Sequence, residues 1–291
     1  MRFMITNCLM VLAASIVALA LLGHRARGAD APATETFVPP VFTEDFESGE
    51  LNKNIWDIRI GMSTPTGGHA QGTPAPGAPP VSDVPIGPVP ATEPVGEASK
   101  GIAITIQHDV VAHGKSALKV HYVGPVRTYS FLIGSHMPAS LRNHFFGRAY
   151  MMFPVAPSGD HQPLINAGNT GWPLSNFLEI GLRNRLSQVA YMQNAKDIRR
   201  AETQVPGPAY PVGRWFCLEW EFNDNPVEMT LWIDGTKAVD AKVPYNGKTA
   251  NLIKGFDEFG FGYRCWGEVP KGFDVYYDDI ALGTGRIGPV K

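Results

Sequence analysis

The run Gly213-Arg214-Trp215-Phe216-Cys217-Leu218-Glu219-Trp220-Glu221-Phe222 constrains the fold more than any other stretch of the chain. Trp215, Cys217, Glu219 and Glu221 alternate with Phe216, Leu218, Trp220 and Phe222. A period of two marks a strand with one face on a core. A second run, Met229 to Ile233, ends at Asp234-Gly235, a pair that tolerates the positive φ of a tight hairpin, and resumes from Thr236 to Val239. Adjacent antiparallel strands with a heavy aromatic load follow, with Phe216, Leu218, Trp220 and Phe222 on the core and Trp232 packed there or on the sheet edge.

The same alternation returns along the chain at 101–106, 116–122, 129–133, 145–153, 177–185, 188–193, 256–264 and 273–282, after two shorter strands at 41–49 and 56–60. Turn residues separate these runs: His113-Gly114-Lys115, Pro154 to Gly159, Asn223-Asp224-Asn225-Pro226 and Asn246-Gly247. No segment sustains a 3.6-residue apolar period. A dozen or more short strands in one chain predict an all-β fold of two packed antiparallel sheets, a jelly-roll sandwich. Residues 61–98 differ, with nine prolines, seven glycines and no aromatic residue. Such a stretch buries too little apolar area to offset its ordering entropy, so it reads as a disordered insertion within one domain spanning 41–288. A lid over a cleft is the other reading of that insertion.

The N-terminus carries an address. Met1-Arg2 is basic, Leu9 to Leu22 is almost wholly apolar, and Ala26-Arg27-Gly28 presents small residues where a signal peptidase cuts. Residues 1–28 are expected to be a signal peptide and 29–40 a flexible leader, making the protein secreted, extracellular or periplasmic. Cleavage leaves 22 basic against 27 acidic residues, a net charge of −5. That balance argues against nucleic acid or an anionic membrane as partner. Two cysteines remain, Cys217 and Cys265, either a disulfide or two buried thiols.

Several stretches in order carry a resemblance: Glu44-Asp45-Phe46-Glu47-Ser48-Gly49, Val111 to Val120 around His113-Gly114-Lys115, Phe146-Gly147-Arg148-Ala149-Tyr150, Cys217 to Trp220, Leu231 to Gly235, Tyr277-Asp278-Asp279-Ile280 and Gly285-Arg286-Ile287-Gly288. Together they resemble the family of a secreted cellulose-induced fungal protein related to glucuronan lyase, with its bacterial relatives. The resemblance spans 41–288 apart from the proline-rich insertion. It implies a concanavalin A-like jelly roll, and polysaccharide lyase chemistry by β-elimination.

The resemblance also implies a calcium ion, held by Glu47, by Asp278 and by main-chain oxygens of the turn at His113 to Ser116. That turn is one residue shorter here than in the family. Calcium takes six to eight oxygens, and it would staple the first and last strands. Without the ion, the two are strand-end acids.

The surface for a sugar is expected on the strand Phe177 to Arg185. Leu178, Ile180 and Leu182 face the core, and Glu179, Gly181 and Arg183 face away, with Gly181 leaving room for a ligand. Tyr191 and Gln193 come from the next strand, His161 precedes another, and Arg148 and Tyr150 lie on a fourth. β-Elimination at a uronic acid needs a group that neutralises the C6 carboxylate, a base for the C5 proton and an acid for the leaving oxygen. Arg183 suits the carboxylate, and His161 and Tyr191 suit proton transfer. Glu179, Gln193 and Arg148 are the expected further contacts. The plainer readings are an Arg183–Glu179 salt bridge, a capping His161 and a Tyr191 that merely decorates the sheet. His161 falls near the family's cleft histidine, whereas Glu179 and Arg183 stand where the family has Arg and Gln.

Glu219 and Glu221 share a face at i, i+2, but the Glu-x-Asp-x-x-Glu run of sandwich hydrolases is absent, so they are expected to be sheet-surface acids. Three functions remain open: a lyase on a uronate-containing polysaccharide, a non-catalytic carbohydrate-binding jelly roll, and a calcium-stabilised structural domain. The expected partner is an acidic polysaccharide, with no nucleic acid and no membrane after signal cleavage, and the expected state is a monomer.

Overall fold

A computed structural model describes residues 35–52, 54–62, 102–122, 128–135, 137–157, 161–168, 176–193, 203–242, 255–264 and 273–290. The expected signal peptide, the first half of the leader (29–34) and nearly all of the 61–98 insertion lie outside the described residues. In chain order the strands are β1 (Phe42–Glu44), β2 (Trp56–Met62), β3 (Ile102–Gln107), β4 (Ala117–Tyr122), β5 (Thr128–Ser135), β6 (His144–Met152), β7 (His161–Gly168) and β8 (Asn176–Arg183). They continue with β9 (Leu186–Gln193), β10 (Thr203–Ala209), β11 (Trp215–Asp224), β12 (Val227–Ile233), β13 (Thr236–Lys242), β14 (Glu258–Arg264) and β15 (Phe273–Gly283).

Two antiparallel sheets result. The first runs β13-β12-β11-β6-β15-β4-β3, with β1 also paired to β15, and the second runs β10-β9-β8-β7-β14-β5-β2. This is the expected two-sheet jelly-roll sandwich, and the first and last strands are neighbours through Phe42↔Leu282 and Glu44↔Ile280. The β12–β13 hairpin turns at Asp234 (φ 50°) and Gly235 (φ 76°), and the β8–β9 hairpin at Asn184 (φ 50°) and Arg185 (φ 71°). β10 contains Pro206, Gly207 and Pro208, which conceal it as a strand in the sequence. It sits at a sheet edge, where a missing ladder N–H is tolerated.

The core between the sheets is aromatic. Phe216, Leu218, Trp220 and Phe222 are buried there, as the alternation of β11 requires, together with Trp56, Phe145, Phe256, Phe259, Phe261 and Tyr277. Trp220 lies opposite Gly147 in register, and a Cβ on that glycine would overlap the indole. The ring thus occupies the space a side chain would take. The Tyr277 hydroxyl donates to Gly262 O at 2.5 Å and lies 3.3 Å from Leu164 O, tying the first sheet to the second. Leu164 is the bulged residue of β7, where the register shifts between Pro163 and Ile165. A bulge frees a carbonyl from the ladder, and the phenol supplies a donor beside it.

The other face of β11 is not a solvated surface. Glu219 is 1% exposed and paired with Arg286, correcting its reading as a surface acid. Trp232 stands opposite Glu219 in register, on this same face, beneath the Arg286 guanidinium. Glu221 bonds His144 Nε2 and Thr230 Oγ1. Cys217 is a buried free thiol, pushed up to about 12 chiefly by burial. Its expected partner Cys265 lies outside the described residues.

Candidate functional site

Two places gather the residues singled out in the sequence. At the first, Glu47 and Asp278 meet on one turn. Glu47 Oε1 accepts from Lys115 N and Ser116 N, both at 2.8 Å. Asp278 Oδ2 accepts from Ala112 N at 2.9 Å and His113 N at 3.2 Å. Gly114 is left-handed (φ +64°) and a Cβ there would collide with the Glu47 carboxylate, so only glycine allows the acid so close. The turn presents N–H groups to both acids, where the resemblance implies carbonyl ligands. Asp278 is pushed up to about 6 because burial outweighs the His113 and Ala112 N–H groups that favour its charge. The oxygens this place offers an ion are those of the two carboxylates, Asp278 Oδ1 already accepting from Asp279 N at 2.9 Å, and main-chain carbonyls of the turn, Lys115 O already lying 2.8 Å from His108 Nδ1. That donor chemistry fits a hard cation such as calcium, which Glu47 and Asp278 would hold. Among the described residues no three His, Cys, Asp or Glu side chains cluster as a metal site, so an ion here would depend on main-chain oxygens as well.

The second place is the outer face of the seven-stranded sheet. His161 opens β7, and its Nε2 lies 2.5 Å from Glu179 Oε1 on β8. The pair is deeply placed: the side chains are 12% and 2% exposed. Arg183 is exposed at the end of β8 and stands directly opposite His161 in register. Glu179 thus pairs with His161 and not with Arg183. Four residues of extended strand span about 13 Å, too far for an i, i+4 salt bridge.

The β7 bulge builds this face. It places both Leu164 and Ile165 in the core while His161 and Pro163 remain outside, opposite Arg183 and Gly181. Asn166 then stands outside too, opposite Glu179. A regular strand would put His161 and Asn166, five apart, on opposite faces. Gly181 serves the bulge and leaves no open space for a ligand: a Cβ there would sit 2.5 Å from Gln162 O.

Two expected contacts are placed elsewhere. Tyr191 pairs with Leu178 across β8–β9 and is buried in the core, so it does not share a face with His161 and Glu179. Arg148 belongs to β6 of the other sheet, where it donates to Asp279 O at 3.3 Å and Gly288 O at 3.1 Å; it holds the C-terminal segment. Gln193 ends β9 opposite Asn176. Gln188, opposite Gly181, and Gln204, opposite Ala190, take the outer face of β9 and β10.

No protein-family model matches the chain, and no curated protein matches it. Among solved structures, the cellulose induced protein Cip1 superposes with a TM-score of 0.55 at 18% identity, over 86% of this chain and 100% of that one. The chain shares the fold of the cellulose induced protein. Two botulinum neurotoxin structures, one of a type DC binding domain and one of type C, match with TM-scores of 0.43 and 0.45 at 12% and 13% identity. The chain spans less than half of each, 43% and 44%. The likeness to the cellulose induced protein runs the whole length of that protein, so the jelly roll is shared as a unit and not as a fragment.

Proposed function

We propose that this chain is an exported carbohydrate-active jelly roll that cleaves a uronate-containing polysaccharide by β-elimination. The observation that carries the reading is the buried His161–Glu179 pair on the same sheet face as Arg183. With His161 Nε2–H donating a hydrogen bond to the Glu179 carboxylate, Nδ1 offers a lone pair. Glu179 fixes the ring's tautomer and orientation, the role of the third member in hydrolytic triads.

Arg183 binds the C6 carboxylate of the uronate, which makes the C5 proton removable. His161 Nδ1 takes that proton. The C5–H electron pair becomes the C4=C5 double bond, and the C4–O4 bond breaks. With Tyr191 in the core, His161 is also the group that returns the proton to O4. One residue serving both ends needs H5 and O4 on one face of the ring. That syn relation exists in glucuronate and mannuronate and not in galacturonate or guluronate.

The test is incubation of the mature protein with glucuronan, mannuronate-rich and guluronate-rich alginate, and polygalacturonate, followed by the ultraviolet absorbance of the unsaturated product. Product from the first two is expected, and its loss in His161→Ala by a factor of about 10² to 10⁴. Product formation that survives His161→Ala refutes the mechanism. The second reading, carbohydrate binding without catalysis, is favoured by the absence of Tyr191 from this face, and binding with no product would establish it.

A further inference from the structure

We propose that Asn166 and Gln188 are the residues that seat the sugar beside His161, bonding its ring hydroxyls as the chain of the glycan crosses the strands. The proposal rests on reading this face as a glycan site, and it adds the groups that grip the neutral part of the substrate. Asn166 is 4% exposed and its Oδ1 has no hydrogen-bond partner; Gln188 is 1% exposed and neither end of its amide has one. Native proteins pair nearly all such buried groups, so an unpaired one calls for a partner supplied from outside the chain, a water, an ion or a ligand group. Their type matters as well. A primary amide both donates and accepts, as a hydroxyl does, so it reads neutral sugar positions while Arg183 reads the carboxylate.

Register places both amides around Glu179. The row Gln204–Ala190–Glu179–Asn166–Gly260 crosses five strands, and Gln188 lies one step along, opposite Gly181. Gln204 Nε2 is likewise buried without a partner. The inter-strand step of about 4.8 Å is close to the length of one 1,4-linked pyranose unit, so a polymer running along this row meets one strand per sugar.

The experiment uses the full mature chain with Gln188→Met and Asn166→Leu, which keep side-chain bulk and remove the amide. Thermal unfolding is measured without ligand, and the affinity for oligoglucuronate and oligomannuronate by titration calorimetry. Each variant is expected to melt no lower than wild type, because an unpaired buried amide has been removed. Each is expected to bind the oligosaccharide about tenfold or more weakly, with KM rising and kcat held for any elimination. Lower melting temperatures without ligand would show that the amides have structural partners and overturn the proposal. So would unchanged affinity. His161→Ala separates the two claims: if elimination survives it while Gln188→Met still weakens binding, the catalytic reading fails and the amide seat stands. A wild-type chain that binds neither oligosaccharide overturns both.

Discussion

Replacing Arg286 by Met should destabilise the fold by about 3 kcal/mol. Glu219 is 1% exposed and its carboxylate takes Arg286 Nη2 at 2.8 Å, Arg286 Nε at 3.2 Å and Gly288 N at 2.9 Å. The guanidinium itself lies over the Trp232 ring, 4.6 Å from its centroid, with Phe37 at 5.5 Å. Met keeps the length and the aromatic contact but strands a buried carboxylate. Breaking a buried pair from one side costs about 3–5 kcal/mol. Arg148, opposite Glu219 on β6, still supplies a positive charge nearby, which places the effect at the lower end. For a domain of this size each kcal/mol moves the melting temperature by about 2–4 °C, so the loss is about 6–12 °C by circular dichroism. Adding Glu219→Gln removes the stranded charge and keeps an acceptor for Gly288 N–H, so the double variant should recover all but about 1 kcal/mol. A single variant that melts within about 3 °C of wild type would refute the reasoning, as would a double variant no more stable than the single one.

Calcium at about a hundred times its dissociation constant should raise stability by about 2.7 kcal/mol, reversed by chelator and absent in Glu47→Gln and Asp278→Asn; equal melting temperatures in calcium and in chelator would sink the cation site. Glu44 gives a pH signature. It accepts from Trp56 Nε1 at 2.8 Å and Phe46 N at 3.0 Å, yet burial outweighs both bonds and lifts its carboxyl above the ordinary 4.5. The folded state therefore holds this proton more tightly than the unfolded chain. Its contribution is complete below the unfolded value and is lost as pH rises through the folded one. The melting temperature of Glu44→Gln minus that of wild type should then grow between about pH 4 and pH 8. A difference that stays flat would show that Glu44 does not titrate differently in the two states.

The sandwich was legible because its two decisive signals are local. Alternation in β11 and β15 divides core from outside residue by residue, and Asp234-Gly235 names its own turn. Sheet membership is not local. Arg148 alternates correctly on β6, but only the pairing of β6 with β11 and β15 puts it on the sheet that lacks His161. Tertiary pairing also decides the fate of Glu219, whose partner Arg286 lies 67 residues away.

The make-up of the His161 face turns on two parities, and they differ in what a sequence can yield. Asn184-Arg185 closes a two-residue hairpin in which Arg183 pairs with Leu186. Any two-residue loop pairs an odd position on β8 with an even one on β9. Even-numbered Gln188 is thereby set beside Gly181, and odd-numbered Tyr191 beside Leu178 in the core. The position of Tyr191 was therefore available from Leu178, Ile180 and Leu182 once a tight turn was assumed, even without the Asn-Gly pair that announces one. The β7 parity was not available in the same way. Pro163 hints at a break in the ladder, but the bulge itself needs Gly181 across from it, whose missing Cβ admits the Gln162 carbonyl. Only with that bulge do His161 and Asn166 flank one carboxylate. A chain with Ala at 181 would have to straighten β7 or push it away, and the His161–Glu179 pair would be lost with it.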